Sequence, residues 1–314
     1  SSAASDVYKR QGALLVVTMW GASFVSTKVL ISAGIGPVEL YIYRFVIAYL
    51  LVFISSCKRL WADSLRDEMM FFLCGLCGSS IYFIAENYAV QYTRVSDVSM
   101  ISSLSPLITT LLIGALYRNE RPGRWTYISS IIALAGVGCI IFKDGLSGMM
   151  QSGDGGPDTM SIAVGDILAL SCAFSWAVYS LVLRRVNATY STQFITRKTF
   201  FYGIITGLPI WFLSAEPIAP AEVFLRPEVL GNLLFLGVGC SMAAYLLWTW
   251  VLGNLGAVKT NNYLYVQPIC TMIIAAVLFG KNDPITLTGC VGALLIIGGL
   301  YLGDYMTRRD AMRD

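Results

Sequence analysis

Ser105-Pro106-Leu107-Ile108-Thr109 returns 162 positions later as Gln267-Pro268-Ile269-Cys270-Thr271. The same offset pairs Gly75 with Gly237, Pro122 with Pro284 and Gly136 with Gly298. The apolar blocks between these pairs stay in register without a gap. Earlier in each half the offset is 156, which pairs Trp20 with Trp176 and Lys28 with Arg184. The change of six falls between the second and third block of each half. The chain is therefore a duplication, and what one copy builds decides the fold.

Each copy builds membrane spans. Of 314 residues 56% are hydrophobic and 13% charged, about half the roughly 25% charge of a soluble domain. The mean hydropathy is +0.67. Residues 46–54, 128–142 and 287–302 are nearly free of charge, and a helix needs roughly 20 such residues to cross a bilayer about 30 Å thick. The blocks predict spans at about 12–32, 37–57, 69–91, 97–117, 125–142, 163–183, 193–213, 230–253, 257–279 and 285–303. Five spans per copy is an odd number, so the second copy must be upside down. The predicted fold class is an all-α polytopic membrane protein of ten transmembrane helices in two inverted five-helix repeats, 12–142 and 163–303. Residues 143–162, rich in Gly, Asp and Ser, are expected to link them outside the cytoplasm. Residues 304–314 read as a basic cytoplasmic tail. Residues 1–11 read as a disordered or non-native tail, because they lack the pattern of a signal peptide.

Lys and Arg prefer the cytoplasmic side of a membrane. With the N-terminus inside, sixteen of the 22 Lys and Arg are assigned to the inside, Arg197, Lys198 and Lys259 at the inner ends of spans among them, four lie outside, and the remaining two, Lys28 and Arg44, lie within spans. Both termini are therefore expected in the cytoplasm. The turn around Arg121 holds three arginines, and its repeat partner around Lys281 holds one lysine. That contrast predicts opposite faces for the two turns.

Composition also excludes function classes. A net charge of +3 without a basic cluster argues against nucleic acid. With no histidine, imidazole metal sites and the commonest catalytic base are absent. The eight cysteines lie in or at the end of apolar blocks and read as packing thiols. Cys74-Gly-Leu-Cys77 has neither the second ligand pair that zinc needs nor a redox surround. No nucleotide-binding motif appears, and no cofactor is expected.

Several stretches together resemble the drug/metabolite transporter superfamily, in its ten-helix form with paired EamA domains. In the first half they are Trp20-Gly21, Pro37 with Arg44, Tyr92-Thr93, Ser105-Pro106, Glu120-Arg121-Pro122 and Gly136-Val137. In the second they are Trp176-Ala177, Gly256-Ala257, Gln267-Pro268, Phe279-Gly280 and Gly298-Gly299. The resemblance covers about 12–303. It implies an inner-membrane carrier of small metabolites, often an amino-acid or drug exporter. The family's Glu after the fourth span is present as Glu120, but its partner position holds Asn282.

An ionisable residue at membrane depth is a functional candidate, and three qualify: Lys28, Arg44 and Glu86. At about 1.5 Å rise per residue, they could meet in one outward vestibule whose surplus positive charge suits a carboxylate. Alternatively Glu86 neutralises Arg44 and Lys28 snorkels to the headgroups. A buried Glu86 could also carry a coupling proton. The second candidate is a polar stripe. Ser99, Ser103 and Pro106 share a helix face, as do their partners Asn261, Tyr265 and Pro268, with Asn262 and Gln267 beside them. Both stripes could line a central cavity, the prolines freeing carbonyls, or they could simply bond helix to helix. Trp20 and Trp176 could stack on a substrate or only pack.

The expected function is secondary transport of a small polar or amphipathic metabolite, most readily export of an amino-acid-like one, by alternating access. The expected partners are the lipid bilayer, the substrate and a proton or counter-substrate, with monomer and homodimer both open. Alternatives are an intramembrane transferase, a passive receptor, a sugar-phosphate or nucleotide-sugar exchanger, and a cationic drug exporter.

Overall fold

The computed structural model describes residues 2–55, 59–117, 122–141, 157–280, 285 and 287–311. Among these there is no strand, and the helices form ten rods in the expected order. Seven are long and apolar enough to cross a membrane: Asp6–Ser32, Pro37–Ser55, Leu65–Tyr92, Val95–Leu116, Ser161–Val186, Pro227–Leu255 and Ala257–Phe279. The fifth, seventh and tenth rods are the helices Arg124–Ile141, Thr192–Ser214 and Leu287–Ala311. Arg197, Lys198 and Pro209 interrupt the apolar run of the seventh.

Two boundaries differ from the sequence reading. The first helix starts at Ser2 and its candidate span at Asp6, so helix precedes the predicted start at 12 where a disordered or non-native tail was expected. No proline or glycine precedes Gly12 to stop it, and Lys9 pairs with Asp6 one turn back. The sixth rod starts at Pro157, in the first turn where a missing N–H costs nothing. Residues 157–162 are therefore helix, not linker. The rest of the linker, 143–156, and Glu120, Arg121, Lys281, Asn282 and Pro284 lie outside the described residues.

The packing repeats with the sequence. The first rod packs on the eighth and ninth, and its repeat partner, the sixth, packs on the third and fourth. The second packs on the eighth, and the seventh on the third. Rods two and seven, four and nine, and five and ten pack on their own partners. Exchanging every rod for its partner leaves this map unchanged, and with five rods per copy the second copy is inverted.

The irregularities repeat as well. Rods three and eight each loosen into a π-helical segment, Leu76–Ile81 and Phe235–Ala243. Such segments loosen the helix's own ladder and recur at functional sites. Rod four breaks between Val95–Ser102 and Ser105–Leu116. Rod nine runs as Ala257–Asn262, a 3-10 turn Tyr263–Val266, and Gln267–Phe279. Pro106 and Pro268 open the helices after these breaks, so each proline starts a helix and kinks none.

Polar ties fix both ends of rod seven. At the end expected in the cytoplasm, Glu68 accepts from Lys198 Nζ at 2.8 Å, Tyr202 at 2.6 Å and the Ala62 N–H at 2.8 Å. Nearby, Tyr190 donates to Asp67 and accepts from the Asp63 N–H. Burial, with the carboxylates of Asp67 and Asp63, pushes its phenol up to about 12. At the other end Glu216 accepts from the Val38 N–H at 3.1 Å and from Tyr88, and Glu39 from the Ala219 N–H.

Candidate transport cavity

The two π-segments turn backbone carbonyls toward the bundle axis. Trp20 Nε1 donates to the Cys240 carbonyl at 2.9 Å, and the Tyr245 hydroxyl donates to the Gly78 carbonyl. Gly78 and Cys240 are partners at the 162 offset, so one backbone position anchors an aromatic ring in each half. Gly78 lies under the Tyr179 ring, where no Cβ fits. The rings form one cluster. Centroids of Trp20 lie 5.1 Å from Trp176 and 5.0 Å from Trp248, and Trp176 lies 5.0 Å from Tyr179 and 5.2 Å from Tyr82.

Beside this cluster lies a closed cavity of about 10 Å³, lined by Trp20, Ser23, Phe24, Tyr82, Phe83, Glu86, Ser102, Ser105, Trp176, Leu264 and Gln267. Every lining residue is buried. Glu86 is 1% exposed, and its Oε1 has no hydrogen-bond partner among the described residues. Tyr82, one helical turn before it, shares its side of the third rod.

Arg44 is completely buried on the second rod. Its Nε donates to Ser241 Oγ at 3.0 Å, on the π-segment of rod eight. Its guanidinium lies 4.3 Å from the Phe83 ring centre, a cation–π contact. Both terminal nitrogens lack a hydrogen-bond partner. No ion pair joins Arg44 to Glu86 among the described residues. Arg44 lies over the Phe83 ring, and Phe83 and Glu86 share the cavity wall. Arg44 is not among the residues that line the cavity; the region thus offers a carboxylate, Glu86, on the cavity wall and a cationic fork over the Phe83 ring, outside the lining.

The other expected site residues are distributed as follows. Lys28 is half-buried and donates to the Val90 carbonyl at 2.7 Å, near the carbonyl-rich end of rod three. Ser99 bonds Thr271 at 2.9 Å across the crossing of rods four and nine, and Ser103 bonds the Ser99 carbonyl. Asn261 accepts from Trp176 Nε1 and Ser180. Tyr265 packs with Met100 and Ala133. Asn262 faces a second, wider cavity. Trp20, Glu86 and Gln267 reach the closed cavity; Ser99, Ser103, Asn261, Asn262 and Tyr265 do not. Ser102 and Ser105, the flanking serines, line it instead.

The sequence profile of the EamA-like transporter family matches residues 11–142 and 163–303. The chain belongs to that family. It is a multi-pass membrane transporter by this membership. The EamA-like chain is 25% identical over 295 residues to an uncharacterized transporter of Archaeoglobus fulgidus, covering 92% of this chain and 95% of that protein. It is 25% identical over 309 residues to a probable amino-acid metabolite efflux pump of Salmonella typhimurium, covering 95% and 96%. It is 23% identical over 303 residues to a probable terminal-alkyne amino-acid exporter of Streptantibioticus cattleyicolor, covering 95% of each. A solved crystal structure shares its fold with a TM-score of 0.67 at 18% identity, covering 98% of both chains.

Sequence reasoning about this EamA-like chain missed Phe83, Ser241 and Tyr245. Ser241 had one available signal: it is the 162-offset partner of Ser79, and both are buried in the π-segments. The seven cysteines among the described residues are free, and Cys57 lies outside them.

Proposed function

We propose that this transporter is a secondary carrier that exports a small amino-acid-like zwitterion by alternating access, from the inner membrane of a cell, with both termini in the cytoplasm and the repeats at 12–142 and 163–303. The observation that carries the reading is the pair of buried groups of opposite sign, Arg44 and Glu86, which no ion pair joins among the described residues and which share Phe83 as a neighbour. A guanidinium with two free nitrogens suits a substrate carboxylate bound through parallel bonds. Glu86 suits an ammonium, and the surrounding rings suit an apolar side chain. The closed wall means that substrate exchange requires movement of the rods, which an inverted repeat supplies by exchanging the conformations of its halves. The names of the Salmonella typhimurium and Streptantibioticus cattleyicolor relatives support the substrate class.

Glu86 is also the proposed proton carrier, since a buried carboxylate can alternate between binding a proton and an ammonium. In proteoliposomes, Glu86→Gln should abolish accumulation driven by a pH gradient while leaving exchange of labelled amino acid measurable. Gradient-driven accumulation at the wild-type rate would remove Glu86 from coupling. Absence of any amino-acid exchange by the wild-type protein would remove the substrate class.

A further inference from the structure

The closed cavity sits on the two-fold of the repeat. Trp20 and Trp176 are partners at the 156 offset, Ser102 with Leu264 and Ser105 with Gln267 at the 162 offset, and all of them line it. The wider cavity lies off that axis. Its volume of about 320 Å³ falls within the roughly 300–1,000 Å³ of small-molecule sites. It lies between the ends of rods one, five, nine and ten that are expected at the cytoplasmic face. Thr126 and Val258, in the first turns of rods five and nine, belong to its wall, so it reaches the end of the bundle. Ile297 and Tyr301, also in the wall, keep much of their surface exposed.

Rod nine separates the two cavities. In its 3-10 turn, Tyr263–Val266, side chains three apart eclipse. Tyr263 and Val266 accordingly share the face toward the wider cavity, and Leu264 and Gln267 share the face toward the closed one. Rewinding the turn from 3-10 to α changes its rotation over three residues by about 60°, which shifts Leu264 against the closed cavity's wall. A 3-10 stretch within a helix often marks such a hinge. The repeat gives a comparison within the molecule. Asn262 and Tyr263 are half-buried. Their partners Met100 and Ile101, beside the break in rod four, are buried, Met100 completely and against Ala133 and Tyr265. One end of the molecule is thus open beside the break in its rod, and the equivalent break toward the other end is packed. That asymmetry between equivalent halves is what alternating access requires.

We infer that the wider cavity is the cytoplasmic vestibule of the transported substrate, and that the 3-10 turn of rod nine is the gate between it and the closed cavity. Asn262 Oδ1, buried with no hydrogen-bond partner among the described residues, offers an acceptor to the ammonium of an amino-acid-like zwitterion waiting there. When the halves exchange conformations, the equivalent vestibule opens against Met100 and Ile101 toward the other face. The inference rests on the transport reading above and adds the route and its gate.

Ser105→Cys in the otherwise cysteine-free full chain reports the route, because position 105 is on the closed cavity's wall. A membrane-impermeant maleimide should label it from either side of sealed vesicles. Val258→Trp and Thr126→Trp, which fill the vestibule from two different rods, should each lose labelling from the cytoplasmic side. Labelling from the other side should persist, which also shows that the variant is folded. Leu264→Ala, which trims the gate, should speed labelling from the cytoplasmic side alone. Exchange of a labelled mixture of the standard amino acids in proteoliposomes should be lost in both vestibule-filling variants. No cytoplasmic labelling in the unfilled chain, or undiminished cytoplasmic labelling in both filled variants, would overturn the vestibule. Unchanged labelling in Leu264→Ala would overturn the gate. If the unfilled chain exchanges no amino acid, the substrate reading fails, and the labelling still decides the route.

Discussion

At the residue scale Arg44 is the most informative side chain. A buried charge stabilises a fold only when its desolvation is offset by close partners, and breaking such a pair costs about 3–5 kcal/mol. Arg44 has one hydrogen bond, to Ser241, and a ring face, so the fold gains little from its charge. Arg44→Met, which keeps the length of the stem, is expected to leave the melting temperature unchanged or higher. The same variant should weaken substrate binding by about 10- to 100-fold, the loss of charge-assisted hydrogen bonds worth roughly 1.5–3 kcal/mol. A structural arginine would show the reverse: a large fall in melting temperature with little change in the affinity of the folded fraction. The sequence marked Arg44 and Glu86 because charges at membrane depth are costly. It did not show that no ion pair joins them among the described residues, since that depends on how rods two and three pack.

At the scale of single elements, the π-segments and broken rods hold what the sequence concealed. The stripe Ser99, Ser103, Pro106 assumes one continuous α-helix with 3.6 residues per turn. Rod four instead stops at Ser102, with Ser103 at ψ 2° outside the helical region, so positions before and after the break do not share a face. Rod nine passes through a 3-10 turn at Tyr263–Val266, which winds at 3.0 residues per turn and rotates Tyr265 away. The glycines gave a truer signal. Gly75 and Gly237 were aligned by the repeat, and Gly78 marks the close approach of rods three and six. Gly78→Ala drives a methyl into the Tyr179 ring and should cost about 1–3 kcal/mol of stability, the range for overpacking, along with transport. Gly231→Ala, in rod eight with open space around it, should be neutral or stabilising. Equal melting temperatures for the two variants would show that the π-segment tolerates a wider spacing than its geometry indicates.

At the scale of the whole molecule, the order of the rods was legible because apolar length is enforced by the bilayer, and seven of the described helices are long and apolar enough to cross it. Apolar length dictates the spans, and an odd number of spans per repeat dictates inversion. What was not legible is how the ends are held. Arg197 and Lys198 were counted as flanking cytoplasmic charges, yet both are buried, and Lys198 ties rod seven to Glu68. The opposite end is held by Glu216 and Glu39 at the start of rod two. If the repeat is inverted across a membrane, these two sets of ties lie on opposite faces. Single-cysteine variants in a cysteine-free background decide this, because Asp63 and Glu222 are exposed beside the two ends. A membrane-impermeant maleimide added to intact cells should label Glu222→Cys, and Asp63→Cys only after permeabilisation. Labelling of both from the same side would contradict five crossings per half, and the pairing of Gly78 with Cys240 would then have to be explained without a membrane two-fold.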